Sequence, residues 1–288
     1  MTIEKFKACL LLASFGDTLG FNNGMWEFNY NLENPGPEVT ITILWEFISL
    51  GGLTHLNLKK WDASDDTILQ IATGKALIDK FDNIKHLKNN FIKEYVKVLD
   101  QLKKNNRGAG NKTLESIEIL KKEGNDNMIE YNKNSGGNGA SMRSMAIGLA
   151  FRGKENRKKL IEAAIDSAQI THNNAIGYLG SIVTALFVSF GIEGIHPLKW
   201  CDKLIKIFDS KIIDHIMKNK KDNDIYLKEK DYFIDKWRLY LEKFKSRDRG
   251  EFFNPIARIE YYAKYFSPQI KIGNKKDYGK IGASGLDS

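Results

Sequence analysis

Four short stretches of the sequence carry side chains able to do chemistry. Ser64-Asp65-Asp66-Thr67 sets two adjacent carboxylates between two hydroxyls. Neighbouring carboxylates repel unless something positive sits between or beyond them, and an all-oxygen donor set suits Mg²⁺, Mn²⁺ or Ca²⁺ and disfavours zinc. The same residues equally suit a helix start, where a Ser N-cap and first-turn acids meet free N–H groups and a positive dipole end. Gly136-Gly137-Asn138-Gly139-Ala140-Ser141-Met142-Arg143 opens an apolar segment. Its glycines and a following helix N-terminus suit an anion, although the lysine and preceding strand of a P-loop are missing; an ordinary loop before a core helix is the alternative. Glu27 lies between Trp26 and Phe28. It reads either as a carboxyl raised by apolar surroundings into the range of acid–base work, or as a surface acid. Thr171-His172 offers one imidazole at the mouth of a small-residue helix, in a catalytic or a structural role.

Those residues need elements to hold them, and helical periodicity dominates the chain. Ile3 to Phe15 repeats apolar residues on one face and then breaks at Gly16; Thr67 to Ile78 does so with Ile68, Ile71, Ala72, Ala76 and Leu77. Further helices are predicted over 85–103, 112–121, 139–151, 157–168, 173–190, 197–209 and 230–245. Val39 to Ile43 alternates and is β-branched, the one strand signal, and one short strand builds no sheet. Lys218 to Asp224 reads as an exposed loop. The prediction is an all-α chain forming a single multi-helix domain over 1–288.

Composition narrows the function classes. Lys and Arg number 44 against 36 Asp and Glu, a formal charge of +8. The lysines are scattered in short pairs rather than gathered on one face with aromatics between them, which argues against nucleic acid as a partner. Cys9 and Cys201 are far apart in apolar stretches and read as buried core thiols. Ala175 to Phe190 is interrupted by Gly, Ser and Thr and falls short of the ~20 residues of a membrane span, so a buried helix is expected. No cleavable signal follows Met1, and a cytoplasmic (or nuclear) location is expected.

In order, Gly16-Asp17-Thr18-Leu19-Gly20, Asn23-Gly24-Met25-Trp26-Glu27-Phe28, Gly51-Gly52-Leu53, Trp61 with Ser64 to Thr67, Arg107-Gly108-Ala109-Gly110, Gly136 to Arg143, and Thr171-His172 with Gly177-Tyr178-Leu179-Gly180 resemble the ADP-ribosylglycohydrolase family. The Asn-Gly-x-Trp-Glu-Phe and Gly-Tyr-Leu-Gly forms are most similar to its ADP-ribosylarginine hydrolase branch. The resemblance implies an all-α fold with two Mg²⁺ ions beside an ADP-ribose cleft. It implies a monomer that hydrolyses the N-glycosidic bond of ADP-ribosyl-arginine in modified proteins. By the same resemblance Glu27, Asp65 and Asp66 are catalytic, and Ser64, Asp65 and Asp66 bind metal. Tyr95, Arg107, Gly137, Asn138, Gly139, Ser141, His172, Ser284 and Gly285 then bind substrate, the 137–141 loop holding the pyrophosphate.

Two departures qualify that expectation. Asn173-Asn174-Ala175 follow Thr171-His172 where the arginine branch has further His and a Pro. The stretch Gly282 to Ser288 resembles the family's loop near the adenosine side, after which a helix and a Gly-Asp-Ser-Asp-Ser-type motif would supply the remaining metal ligands; the sequence contains no such motif. The expectation is therefore a domain truncated at its C-terminus, short of its second metal half. A catalytically inactive ADP-ribose-binding or scaffold protein is the alternative reading.

Overall fold

The computed structural model describes residues 3–33, 35–36, 38–104, 107–245, 254–265, 271–272, 275–276 and 286. In chain order its helices are α1 (Ile3–Phe21), α2 (Val39–Ser49), α3 (Gly52–His55), α4 (Asp65–Ile78), α5 (Ile84–Lys103), α6 (Asn111–Glu123) and α7 (Met145–Ala150). They continue as α8 (Arg157–Gln169), α9 (Ala175–Ile192), α10 (Trp200–Asp209), α11 (Ile212–Met217), α12 (Asn223–Lys245) and α13 (Pro255–Tyr265). Among the described residues the only strand pairing joins Lys271–Ile272 to Lys275–Lys276. The chain is all-α, as the periodicity predicts.

The centre is built by the helices with the clearest apolar repeats. On α5, Leu87, Phe91, Tyr95, Leu99 and Leu102 recur at three- and four-residue intervals and are all buried, facing α4, α6 and α8. Asn83 caps that helix by accepting the His86 N–H at 3.0 Å, and Asn174 caps α9 by accepting from Ile176 at 2.9 Å. Each such cap is worth ~1 kcal/mol. α9 is long and apolar enough to cross a membrane, yet 72% of it is buried against α7, α8, α10 and α12. It is the central core helix.

Several local expectations are overturned. Val39–Ile43 is the first turn of α2, not a strand: the Ile41 and Thr42 N–H groups donate to the Glu38 carbonyl at 2.9 and 3.2 Å. A lone strand would leave its backbone groups unpaired, whereas a helix pairs them internally. Glu46 then ties α2 down by accepting from Trp26 Nε1 at 2.8 Å and Tyr30 Oη at 2.5 Å. α1 runs through Gly16 to Phe21, because Asp17 is held from α4 and Thr18 bonds back to the Ser14 carbonyl at 2.8 Å. α7 starts at Met145, after a 3₁₀ turn over Asn138–Ala140. The expected exposed loop at Lys218–Asp224 is present over 218–222, with Lys218, Asn219 and Lys221 exposed; α12 already starts at Asn223, and the loop is tied down where Lys220 reaches Asp166 at 2.5 Å and Asp222 accepts from Asn173 at 2.7 Å. Cys9 and Cys201 are free and only half-buried.

One face lacks cover among the described residues. On α1 only Phe21 is buried, while Leu11 and Leu12 are 68% and 69% exposed. Phe15, Trp45, Ile48 and Leu53 are exposed as well.

Candidate functional site

The Ser64–Thr67 cluster is a helix start, the second of the two readings its sequence allowed. Ser64 caps α4, its hydroxyl oxygen accepting the Asp66 N–H at 3.1 Å. The cap is itself held by Asp17 from α1. Asp17 Oδ1 accepts the Ser64 hydroxyl at 2.5 Å, and Oδ2 accepts the Ser64 N–H at 3.0 Å, the Thr67 N–H at 3.3 Å and the Thr67 hydroxyl at 2.5 Å. The two hydroxyls that the sequence offered as neutral metal donors thus spend their hydrogens on a carboxylate from another helix. On the other side, the Arg107 carbonyl accepts the Asp65 N–H at 2.8 Å. The Arg107 guanidinium donates to the Ala63 carbonyl at 2.8 Å and pairs with Asp62 at 2.9 Å.

This scaffold crowds acids. Burial first, then the charges of Asp66, Glu27 and Asp17, push Asp65 up to about 8. Burial and Asp17 push Asp66 up to about 6. Glu27 keeps an exposed side, but its carboxyl faces the cluster, and burial with Asp66 and Asp17 raises it to about 7. Gly108, at φ +84°, lets these groups converge: a Cβ there would stand 3.3 Å from Glu27 Oε2 and 3.5 Å from Asp65 Oδ1. Carboxylates that resist ionising together want a proton or a hard cation between them.

The acids form one wall of a cleft of about 870 Å³. Asp17, Glu27, Ser64, Asp65 and Asp66 line that wall; Gly137, Asn138, Gly139 and His172 line another. Between them opens the start of α6, with Asn111, Lys112 and Thr113 on the cleft. Gly110 precedes α6 and provides no side-chain cap, so the first N–H groups of a 13-residue helix lack a capping partner where Asn111, Lys112 and Thr113 line the cleft; the Lys112 ammonium itself pairs with Glu115 at 2.7 Å. Sequence reading missed that α6 edge, although a helix start after Arg107-Gly108-Ala109-Gly110 without a capping Ser, Thr or Asp was a usable signal.

Several expected site residues stand elsewhere. Tyr95 is wholly buried and does not reach the cleft; its hydroxyl is 2.8 Å from both Thr73 Oγ1 and Ser167 Oγ, and its ring lies 4.6 Å from the Arg143 guanidinium. Arg107 braces the turn before α4 instead of lining the cleft. Ser141 is buried behind the glycine loop, its hydroxyl without a partner. The loop does not run directly into a helix N-terminus, since the 3₁₀ turn intervenes. His172 is buried beside Gly139, and burial followed by the Arg143 charge pulls it down to about 3. Ser284 and Gly285 lie outside the described residues.

Among the described residues no group of three or more His, Cys, Asp or Glu side chains is arranged to hold a metal ion. The donor chemistry of Asp65, Asp66 and Glu27 fits a hard divalent cation, and their raised affinity for protons fits a place where positive charge is wanted.

The comparisons with known proteins agree on kinship. A family model described as ADP-ribosylglycohydrolase matches residues 1–245. Protein L444 of Acanthamoeba polyphaga mimivirus, named for ADP-ribosyl glycohydrolase, is 36% identical over 269 residues, 90% of this chain and 52% of its own length. ADP-ribosylhydrolase ARH1 of Dictyostelium discoideum is 35% identical over 253 residues, 83% of this chain and 62% of its own. ADP-ribosylhydrolase ARH3 of Xenopus tropicalis is 27% identical over 217 residues, 70% of this chain and 55% of its own. The chain spans little more than half the length of the curated relatives it matches.

Proposed function

The chain belongs to the ADP-ribosylglycohydrolase family, and from that premise we propose that it hydrolyses the bond joining ADP-ribose to a protein side chain, with ADP-ribosyl-arginine as the substrate. The observation that carries this reading is the convergence of Glu27 and Asp65 over Gly108 in a cleft that also holds the glycine loop and the α6 start. One wall is acidic and the facing backbone accepts anions, the polarity an ADP-ribosyl group needs. The arginine linkage rests on the Asn23–Phe28 and Gly177–Gly180 forms.

In the reaction, water adds its oxygen to the ribose carbon as the bond to the guanidine nitrogen breaks; the leaving guanidine takes a proton from an acid, and the proton that water gives up restores that acid. Glu27 is placed to deliver that proton, because its carboxyl holds one near neutrality. Asp66, the least raised of the three acids and so the one that is mainly ionised near neutrality, lies beside it to stabilise positive charge growing on the ribose ring. Asp17 keeps Asp65 and Asp66 in place through the start of α4. Magnesium held by Asp65, Asp66 and the Ser64 oxygen would supply charge neutralisation and help to orient ribose hydroxyls and water.

A second reading is ADP-ribose binding without turnover, favoured by the incomplete metal cage among the described residues. Release of ADP-ribose from ADP-ribosyl-arginine, with Mg²⁺ and with a chelator, decides between them when paired with calorimetry of ADP-ribose binding. Metal-dependent release establishes the hydrolase. Binding without release establishes the second reading, and neither binding nor release rejects both.

A further inference from the structure

We propose that Arg143 and Thr171 are positioning residues that fix His172 in its Nε2–H tautomer, presenting a neutral hydrogen-bond donor to an oxygen atom of the ligand. Only the identity of that ligand rests on the ADP-ribose reading of the cleft.

The chain of reasoning starts at Arg143, which is fully buried and can only donate. Its Nη2 donates to the Ser167 carbonyl at 2.5 Å and to Thr171 Oγ1 at 2.8 Å, and the Tyr95 ring fixes the guanidinium from one face. Thr171 Oγ1 therefore already serves as an acceptor. It also lies 2.8 Å from His172 Nδ1. Thr171 is buried, and among the described residues its hydroxyl hydrogen has one acceptor within reach, that same Nδ1. Were Nδ1 protonated, two hydrogens would meet on one contact, or the hydroxyl hydrogen would be stranded in the core at the cost of an unmade hydrogen bond. Nδ1 must then accept, which places the ring hydrogen on Nε2.

The Nε2 edge faces the cleft at Gly139. Gly139 packs closely on that edge, where a Cβ would stand 2.5 Å from His172 Cε1 and 2.8 Å from Nε2, so any side chain at 139 would cover the ring hydrogen at the point where both residues line the cleft. The outcome is an N–H donor whose direction is set by a buried cation two residues removed from the ligand. An oxygen acceptor, phosphoryl or hydroxyl, is the matching ligand chemistry.

The test reads the tautomer in the unliganded full chain by long-range ¹H–¹⁵N correlation of ¹⁵N-histidine protein at pH 7, with the five histidines assigned by single substitution. The expected signature for His172 is a bare Nδ1 and a protonated Nε2. Thr171→Ser keeps the hydroxyl and should keep both the signature and the ADP-ribose affinity. Thr171→Val, of the same shape, should lose the signature and weaken ADP-ribose binding by about tenfold, the effect of one lost hydrogen bond. A protonated Nδ1 in the native chain, or a Thr171→Val variant indistinguishable from Thr171→Ser, overturns the proposal. The expected signature without any ADP-ribose binding overturns the ligand reading and leaves the relay standing.

Discussion

Glu27 and Asp65 aim their carboxyl oxygens at one point, 3.3 and 3.5 Å from where a Cβ of residue 108 would stand. Gly108 therefore does two things at once: it adopts φ +84°, and it leaves room for two acids. Gly108→Ala should cost about 1–2 kcal/mol of stability through the left-handed backbone alone. The added methyl would touch both carboxyls at close to ordinary contact distance, so ADP-ribose release should fall only as far as the loss of stability explains. Denaturant unfolding and turnover measured on the same preparation check this.

Asp17 is expected to matter as much as the acids it holds. Asp17→Ala leaves four donors on Ser64 and Thr67 without their acceptor. Each donor that stays buried without an acceptor costs about 1–3 kcal/mol. Asp17→Asn retains one oxygen acceptor and should recover part of that loss. A variant at position 17 as stable and as active as the native chain would remove Asp17 from the site.

The acid cluster also sets a pH dependence. Asp65, Asp66 and Glu27 bind protons more tightly folded than unfolded, so their contribution is present below the unfolded carboxylate range and lost as pH rises to about 8. His172 acts oppositely: its depressed value makes stability rise between about 3 and its unfolded range near 6.5. Above that range only the carboxylates contribute. In a chelator, Tm should fall between about pH 6.5 and 8.5, and Asp65→Asn should flatten the slope. Adding Mg²⁺ at the upper end should raise Tm of the native chain, by mass action on the folded state, and leave Asp65→Asn unmoved.

Tyr95→Phe separates structure from recognition. Removing a hydroxyl that bridges Thr73 and Ser167 should cost about 1 kcal/mol. The Kd for ADP-ribose should stay within twofold, because Tyr95 is enclosed in the core. A large loss of affinity at unchanged stability would return Tyr95 to the binding surface.

The repeating helices α4, α5, α6, α8 and α9 were legible because their burial follows a local rhythm. The order of the glycine, acid and histidine blocks was legible as kinship for a similar reason: it needs no coordinates. What failed depended on distant partners. Val39–Ile43 has a strand's composition, but no neighbouring strand is available to it among the described residues, so the helix wins. Gly16 looked like a terminator because the bonds from Asp17 to α4, 47 and 50 residues away, leave no trace in the local pattern. Tyr95 and Ser141 were expected at the substrate by family resemblance, and long-range packing buries both.

The thinly buried helix α1 has a thermodynamic corollary. With Phe21 its one buried residue, it should be among the first segments to open by local unfolding, and its amides should exchange faster than those of α5 or α9. Yet α1 carries Asp17, so each opening event releases the start of α4. The acids of the cleft thus share the opening free energy of a thinly buried helix, and their positions are only as persistent as its folding.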